Sequence, residues 1–524
     1  MEEIIIRGGT VIDGTGQRAY RADVAVNRGV ITAVGDLGGL AAQKELDASG
    51  LAVSPGFIDA HAHSDTSFLR DSSSASKLYQ GITTEISGQC GSSPFPRPVG
   101  YEGESSIRRS ASFEEFLRRF EEEGHEMAVN QALMVGHGSL RAAVLGYEDR
   151  APDADELESM KALLRRDLEA GAWGMSLGLE YSPGCFSGAD ELSELGKVVR
   201  EYDGLIPCHM RSEGLNIDAA LDELLNVGRA SGARVHVSHL KLDNFRVHGR
   251  AKEVWAKLEQ AKKDGVRVSA DLYPFLASCT TLNIRCPKWS LEGGDAAVVQ
   301  HLNGPGRAEI IESIRYHYFN AERAETCLIN DDDGCWPEIV GKTLRFIAEE
   351  YLHTNDYAEA AAEILIRTNG AAGGIFFVMS EEDMLYFLSQ DTGIGSDGWA
   401  LPGDPALLDS KPHPRSYAAV SEFFRLAREK NICLIEEAVR RVTSKAADMI
   451  GMKDRGRLLP GMAADIAVFD PDTIGPAATY LDPVKLSRGV RHVLVNGRIA
   501  LHDGVQTEVR AGKFLRKPRA QSIY

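Results

Sequence analysis

The chain has no run of about eighteen or more uncharged apolar residues, so no stretch of it reads as an ordinary membrane-spanning helix. It has no CxxC pair. Its 8 cysteines are scattered over 524 residues, which points to reduced thiols and away from a disulfide scaffold. The first residues, Met1-Glu2-Glu3-Ile4-Ile5-Ile6-Arg7, lack the basic stretch and long apolar core of a secretory signal, so a cytoplasmic protein is expected. Basic residues are also in short supply. With 58 Lys and Arg against 76 Asp and Glu, the formal charge is -18 and the pI about 5.3, a balance that favours solubility and repels phosphate backbones. No nucleic-acid partner and no membrane partner are expected, and homo-oligomerisation is left open.

What is present is a globular composition: 43% hydrophobic residues over 524 positions suffice for one large α/β barrel and a smaller domain. Residues 3 to about 53 carry short β-rich segments, among them Ile4-Ile5-Ile6 and Asp23-Val24-Ala25-Val26, punctuated by glycine. The same texture returns at 464–470 and 493–497. Chain ends often lie together, so residues 1–54 and 451–524 are expected to build one small β domain around a central domain at 55–450. Within the latter, short apolar strands at 83–87, 132–135, 174–177, 205–208, 235–238 and 266–270 alternate with helices expected over 113–123, 154–170, 189–201, 217–231 and 251–264. Adding 57–63 as the first strand and 394–396 as the last gives eight, the number of a (β/α)8 TIM-like barrel, whose chemistry sits at the carboxyl ends of its strands. The interval from about 285 to 391 is too long for a connection and reads as an insertion between the seventh and eighth strands, placed as a lid would be.

His61 and His63 stand two apart at the end of the first strand, so their side chains project the same way and can hold one metal ion. Alone the pattern is weak, because one packed and one exposed histidine would look the same. Cys90, in Gly88-Gln89-Cys90-Gly91 after the second strand, offers either a thiolate ligand or a small buried side chain beside a glycine turn. The fifth strand ends in Cys208-His209, the sixth in Ser238-His239 and the eighth in Ser396-Asp397. Four histidines, a cysteine and an aspartate on one rim are more than chance placement of 14 histidines would give, and together they read as a metal site.

These residues resemble the amidohydrolase superfamily and, more narrowly, the D-aminoacylases or N-acyl-D-amino-acid deacylases. The likeness continues through Gly136-His137-Gly138-Ser139-Leu140-Arg141, Gly178-Leu179-Glu180-Tyr181-Ser182-Pro183, Ser238-His239-Leu240-Lys241, His413-Pro414-Arg415-Ser416-Tyr417 and the closing 456–465, and covers nearly the whole chain. Cys90 in place of a bridging carboxylated lysine is specific to the deacylase branch. The resemblance implies one tightly held Zn2+ on Cys90, His209 and His239, and a second, weaker position with His61, His63 and Asp397 that Cys90 can bridge. Whether one or two ions are held stays open. It further implies Asp397 as general base, taking a proton from water and passing it to the leaving amine. A small-molecule N-acyl amino acid would be the substrate, its α-carboxylate met by Arg415, Lys241 and Tyr181. Arg285 has two readings: it meets an acidic side chain such as that of D-glutamate or D-aspartate, or it pairs with Asp331-Asp332-Asp333 in the insertion.

The activity so implied is zinc-dependent hydrolysis of the amide of an N-acyl-D-amino acid. Two alternatives stand beside it: an amidohydrolase acting on a cyclic amide or small dipeptide, hydantoinase-like or isoaspartyl-type, and a catalytically silent scaffold. A scaffold has no physical need for the complete ligand set.

Overall fold

The computed structural model describes residues 1–100 and 106–518. Among these, eight parallel strands follow one another around a barrel: Phe57–Asp59, Ile82–Ser87, one running through Asn130–Leu133 and Val135–Gly136, Met175–Gly178, Leu205–His209, Arg234–Val237, Val268–Leu272 and Gly393–Ile394. The ring closes where Ala60 donates its N–H to the Ile394 carbonyl at 3.2 Å and Ala62 bridges Gly398 in parallel. Each strand is short and almost wholly buried because it is covered on both sides. On the fifth to seventh strands, Ile206, Cys208, Val235, Val237, Val268, Ala270 and Leu272 face the outer core, while the alternate residues turn into the barrel.

The connecting helices follow local rules. Ala154–Glu169 begins with a capping box, in which Asp153 and Glu156 satisfy each other's free N–H groups. Ile217–Ser231 ends at Gly232, where φ of 68° is a left-handed turn that glycine adopts without strain.

Both chain ends meet in one nine-stranded sheet. Ala52–Pro55 is its hinge, parallel to Glu2–Val11 on one side and antiparallel to Ile466–Phe469 on the other. Alternation assigns its two faces. Ile466 and Val468 join Ile4, Ile6, Val24 and Val26 in the sheet's own core, whereas Ala467 and Phe469 join the barrel's core, with the Phe469 ring 5.5 Å from that of Phe57.

The insertion has a core of its own around Val298, Ile310, Ile314, Ile329, Ile364 and Phe376. Its antiparallel sheet takes Ser278–Thr281, Gly373–Phe376 and Cys327–Asp331. Its limits therefore differ from the expected 285 and 391. The sheet starts earlier because Ser278–Thr281, polar and without alternation, is made a strand by a partner distant in sequence. The helix Glu381–Ser389 packs on the barrel helix Ala251–Lys263 and serves the barrel. No helix among the described residues is long and apolar enough to cross a membrane.

Candidate metal centre

The rim at the carboxyl ends of the strands brings the expected donors together. Three of them, Cys90 (φ 51°), His239 (φ 38°) and Asp397 (φ 51°), lie in the left-handed region just past a strand end. That conformation is uncommon for non-glycine residues and is held here by the surrounding structure. The glycine beside Cys90 serves close approach: a Cβ on Gly91 would stand 2.7 Å from the Gly178 amide nitrogen, so the second and fourth loops touch only because it is glycine.

Cys90 Sγ lies 3.4 Å from His61 Nε2, 3.4 Å from His239 Nε2 and 3.9 Å from His209 Nδ1. His209 Nδ1 and His239 Nε2 are 3.1 Å apart. Asp397 Oδ1 is 3.5 Å from His61 Nε2 and 2.9 Å from His63 Nε2. Bonds of 2.0–2.3 Å at a tetrahedral angle put ligand atoms about 3.3–3.6 Å apart, so this spacing fits shared zinc. Protonation fits as well. Burial pushes the His61 and His239 imidazoles well below their ordinary value and His209 below its own, leaving neutral rings with a lone pair to give. Burial also pushes the Cys90 thiol well up, so a thiolate here calls for a cation beside it. Asp397 is different: burial would raise its carboxyl, but the Arg415 guanidinium at 2.8 Å and the hydrogen bond from His63 hold it well below the usual carboxylate range.

Behind the donors stands a layer of carboxylates that fixes which ring nitrogen faces inward. Glu213 Oε1 is 3.0 Å from His239 Nδ1, and Glu180 Oε2 is 2.9 Å from His209 Nε2. Sequence reasoning missed both as members of the site. The signals were present: Glu180 precedes Tyr181 in the Gly178–Pro183 motif, and Glu213 follows His209 by four. Lys77, fully buried, pairs with Asp59 at 2.8 Å and Glu85 at 3.1 Å and reaches Ser396 Oγ at 2.9 Å, bracing the first, second and eighth strands below the donors.

A cavity of about 480 Å³ opens onto the centre, lined by His63, Cys90, Tyr181, Asp397, Trp399 and Arg415 among others. Tyr181 Oη lies 3.5 Å from His209 Nδ1 and 3.1 Å from Thr280 Oγ1. Arg415 stacks on Tyr273 at 4.8 Å and donates to the Cys279 carbonyl at 3.2 Å. Two expected residues lie apart from the cavity. Lys241 sits behind His239, its Nζ 2.5 Å from Glu213 Oε2. Arg285 is buried over the Phe376 ring at 4.6 Å and lines a separate recess with Asp243 and Tyr318. Asp331, offered as its partner, instead lines the large cavity.

The model of the amidohydrolase family matches residues 44–299 and 395–501. N-acyl-D-glutamate deacylase of Alcaligenes xylosoxydans xylosoxydans is 34% identical over 521 residues, 98% of this chain and 96% of its own. The crystal structure of N-acyl-D-glutamate deacylase from Bordetella bronchiseptica, complexed with zinc and a phosphonate mimic of the tetrahedral intermediate, aligns with a TM-score of 0.83 at 33% identity, covering 98% of this chain and 99% of that one. A D-aminoacylase structure concerned with a binuclear metal centre, one-metal activation and second-metal attenuation aligns with a TM-score of 0.82 at 33% identity, covering 99% of this chain and 100% of that one.

Proposed function

The chain belongs to the amidohydrolase family, and from that premise we propose that it hydrolyses the amide of N-acyl-D-amino acids in a zinc-dependent reaction, releasing a carboxylate and a free D-amino acid. One observation carries the reading: Cys90, His209, His239, His61 and Asp397 converge at zinc-ligand spacing beside a cavity that also holds a buried arginine.

In this reading Cys90, His209 and His239 hold the tighter ion, and His61, His63 and Asp397 offer a second, weaker position. Zinc at such a site lowers the pKa of water to about 7 and polarises a carbonyl. The protein's own residues do the rest. Asp397, ionised beside Arg415, takes the proton of the attacking water and delivers it to the leaving nitrogen, which would otherwise depart as a poor amide anion. Tyr181 presents its hydroxyl to the substrate from the wall of the same cavity. Arg415 receives the α-carboxylate; its planar fork has donors enough for Asp397 and a substrate anion together. Lys241, salt-bridged to Glu213, adds positive potential from behind His239. Arg285 has no part in this assignment, since its guanidinium lies over Phe376 outside the cavity.

The test is amine release by the zinc-supplemented protein from N-acetyl and N-formyl amino acids of both hands, with acidic, basic and apolar side chains. Turnover confined to D-compounds is expected. Turnover of cyclic amides alone, or none on any member with zinc bound, would overturn the proposal.

A further inference from the structure

The barrel interior is divided. Around strands one to five it is filled in the ordinary way, by Ile58, Ala60, Ile86, Ala132, Met134 and Leu205. On strands six and seven the inward positions are His236, Ser269 and Asp271 instead, with His236 and Asp271 almost fully shielded from solvent. A buried carboxylate and imidazole in a barrel core cost free energy unless every polar atom has a partner. Ser269, His236, Asp271 and His61 form a line, in which His236 Nε2, Asp271 Oδ2 and His61 Nδ1 face one another as an electrostatic cluster without a well-formed hydrogen bond. Ser269 Oγ is 2.7 Å from His236 Nδ1, and His236 Nε2 is 2.9 Å from Asp271 Oδ2. Asp271 Oδ1 accepts the backbone N–H of His239 at 2.5 Å, and Oδ2 faces His61 Nδ1 at 4.0 Å. The line starts at a second cavity of about 300 Å³, lined by His236, Ser269 and Lys445 at the amino-terminal end of the barrel, and stops at two of the proposed zinc donors.

We infer that His236 and Asp271 are positioning residues of the metal centre: His236 orients the Asp271 carboxylate, which keeps the proton of His61 on Nδ1 and the Nε2 lone pair turned toward Cys90 and Asp397. The inference rests on the reading of that cluster as a zinc site. Its logic is chemical. An imidazole can hold its proton on either nitrogen, and only the Nδ1–H form of His61 presents a lone pair to the ion. Glu213 and Glu180 fix His239 and His209 by contacts of 3.0 and 2.9 Å, whereas Asp271, 4.0 Å beyond His61 Nδ1, acts on that ring through its charge and not through a hydrogen bond. His236 must then carry its proton on Nε2, with Nδ1 left to accept the Ser269 hydroxyl.

That division of roles dictates the experiment. Glutamine at position 236 places an amide nitrogen near the site of Nε2 and asparagine places one near Nδ1, so the two conservative variants separate an N–H turned toward Asp271 from filling of space. The zinc-loaded wild-type protein and its His236→Leu, His236→Asn and His236→Gln variants are titrated with a graded chelator while zinc release is followed. Melting temperatures of the zinc-free forms, and kcat and KM, are taken alongside. Leu and Asn are expected to shift the release curve by about 10–100-fold in free zinc and to lower kcat with KM unchanged, while Gln returns the curve to near wild type. Wild-type zinc retention in His236→Leu would overturn the inference. So would equal loss in all three variants tracking a common fall in melting temperature, the pattern of a role in packing alone. A wild-type chain that takes up no zinc would refute the metal-centre reading itself, and the inference with it.

Discussion

Replacing Asp397 with asparagine separates proton transfer from metal binding, because the site predicts how the amide will lie. Arg415 can only donate, so the amide oxygen must turn to its NH1, which stands 2.8 Å from Asp397 Oδ2 in the native protein. The amide nitrogen then takes the place of Oδ1, 2.9 Å from His63 Nε2, which donates to the native carboxylate and must move its proton to Nδ1 to accept from the amide. Shape and both contacts survive, and only the basic lone pair and the charge are lost. General base catalysis contributes about 10²–10⁴-fold, so kcat is expected to fall by that factor, about 3–5 kcal/mol of barrier. Cys90, His209 and His239 are untouched, so at least one equivalent of zinc stays bound. KM is expected to change little, since Arg415 keeps its place on Tyr273. Steady-state amine release with zinc measured on the same sample decides it. A variant that keeps zinc and turns over within about tenfold of wild type would refute Asp397 as the base. Loss of activity in proportion to loss of zinc would make it a ligand and nothing more.

Two further predictions concern groups beyond the donors. Lys77→Met leaves Asp59 and Glu85 facing each other without their shared cation in a fully buried place, and breaking such a pair costs about 3–5 kcal/mol. Urea unfolding reads that loss, and a change under about 1 kcal/mol would mean that water reaches the gap. Lys517, packed over Trp173 at 5.2 Å and donating to the Ile450 carbonyl at 3.1 Å, is pushed down to about 8 by burial and by Arg234. The unfolded chain therefore binds more protons between pH of about 8 and its ordinary value near 10.4, so this group makes stability rise with pH across that window. The gain is on the order of 2 kcal/mol after discounting for screening. Lys517→Met should flatten that slope in melting temperatures taken across it, and an unchanged slope would assign it to other groups.

Much of the architecture was legible because its signals are local. The helices expected over 189–201 and 217–231 form at those limits, since period and terminus are written in neighbouring residues. The candidate donors were legible because each lies at or a few residues past the carboxyl end of a strand, the rim where such barrels place their chemistry. Even so, the first strand ends at Asp59, and His61 reaches the centre from a segment held by Ile394 and Gly398, a contact between distant parts of the chain.

What the sequence by itself determined is therefore the alternation of strands and helices, the pairing of the two ends and the residues proposed as donors, all carried by short-range pattern and residue chemistry. Only the tertiary structure decided what stands behind each donor. Glu180 and Glu213 behind His209 and His239, and Asp271 beyond His61, are ordinary acidic residues until the barrel closes. It also decided which cations face the cavity. Arg415 lines it, whereas Lys241 is taken up by Glu213 and Arg285 by Phe376. Long cationic side chains reach several ångströms to either side of their backbone, and the partner that captures each is set by packing between segments far apart in sequence.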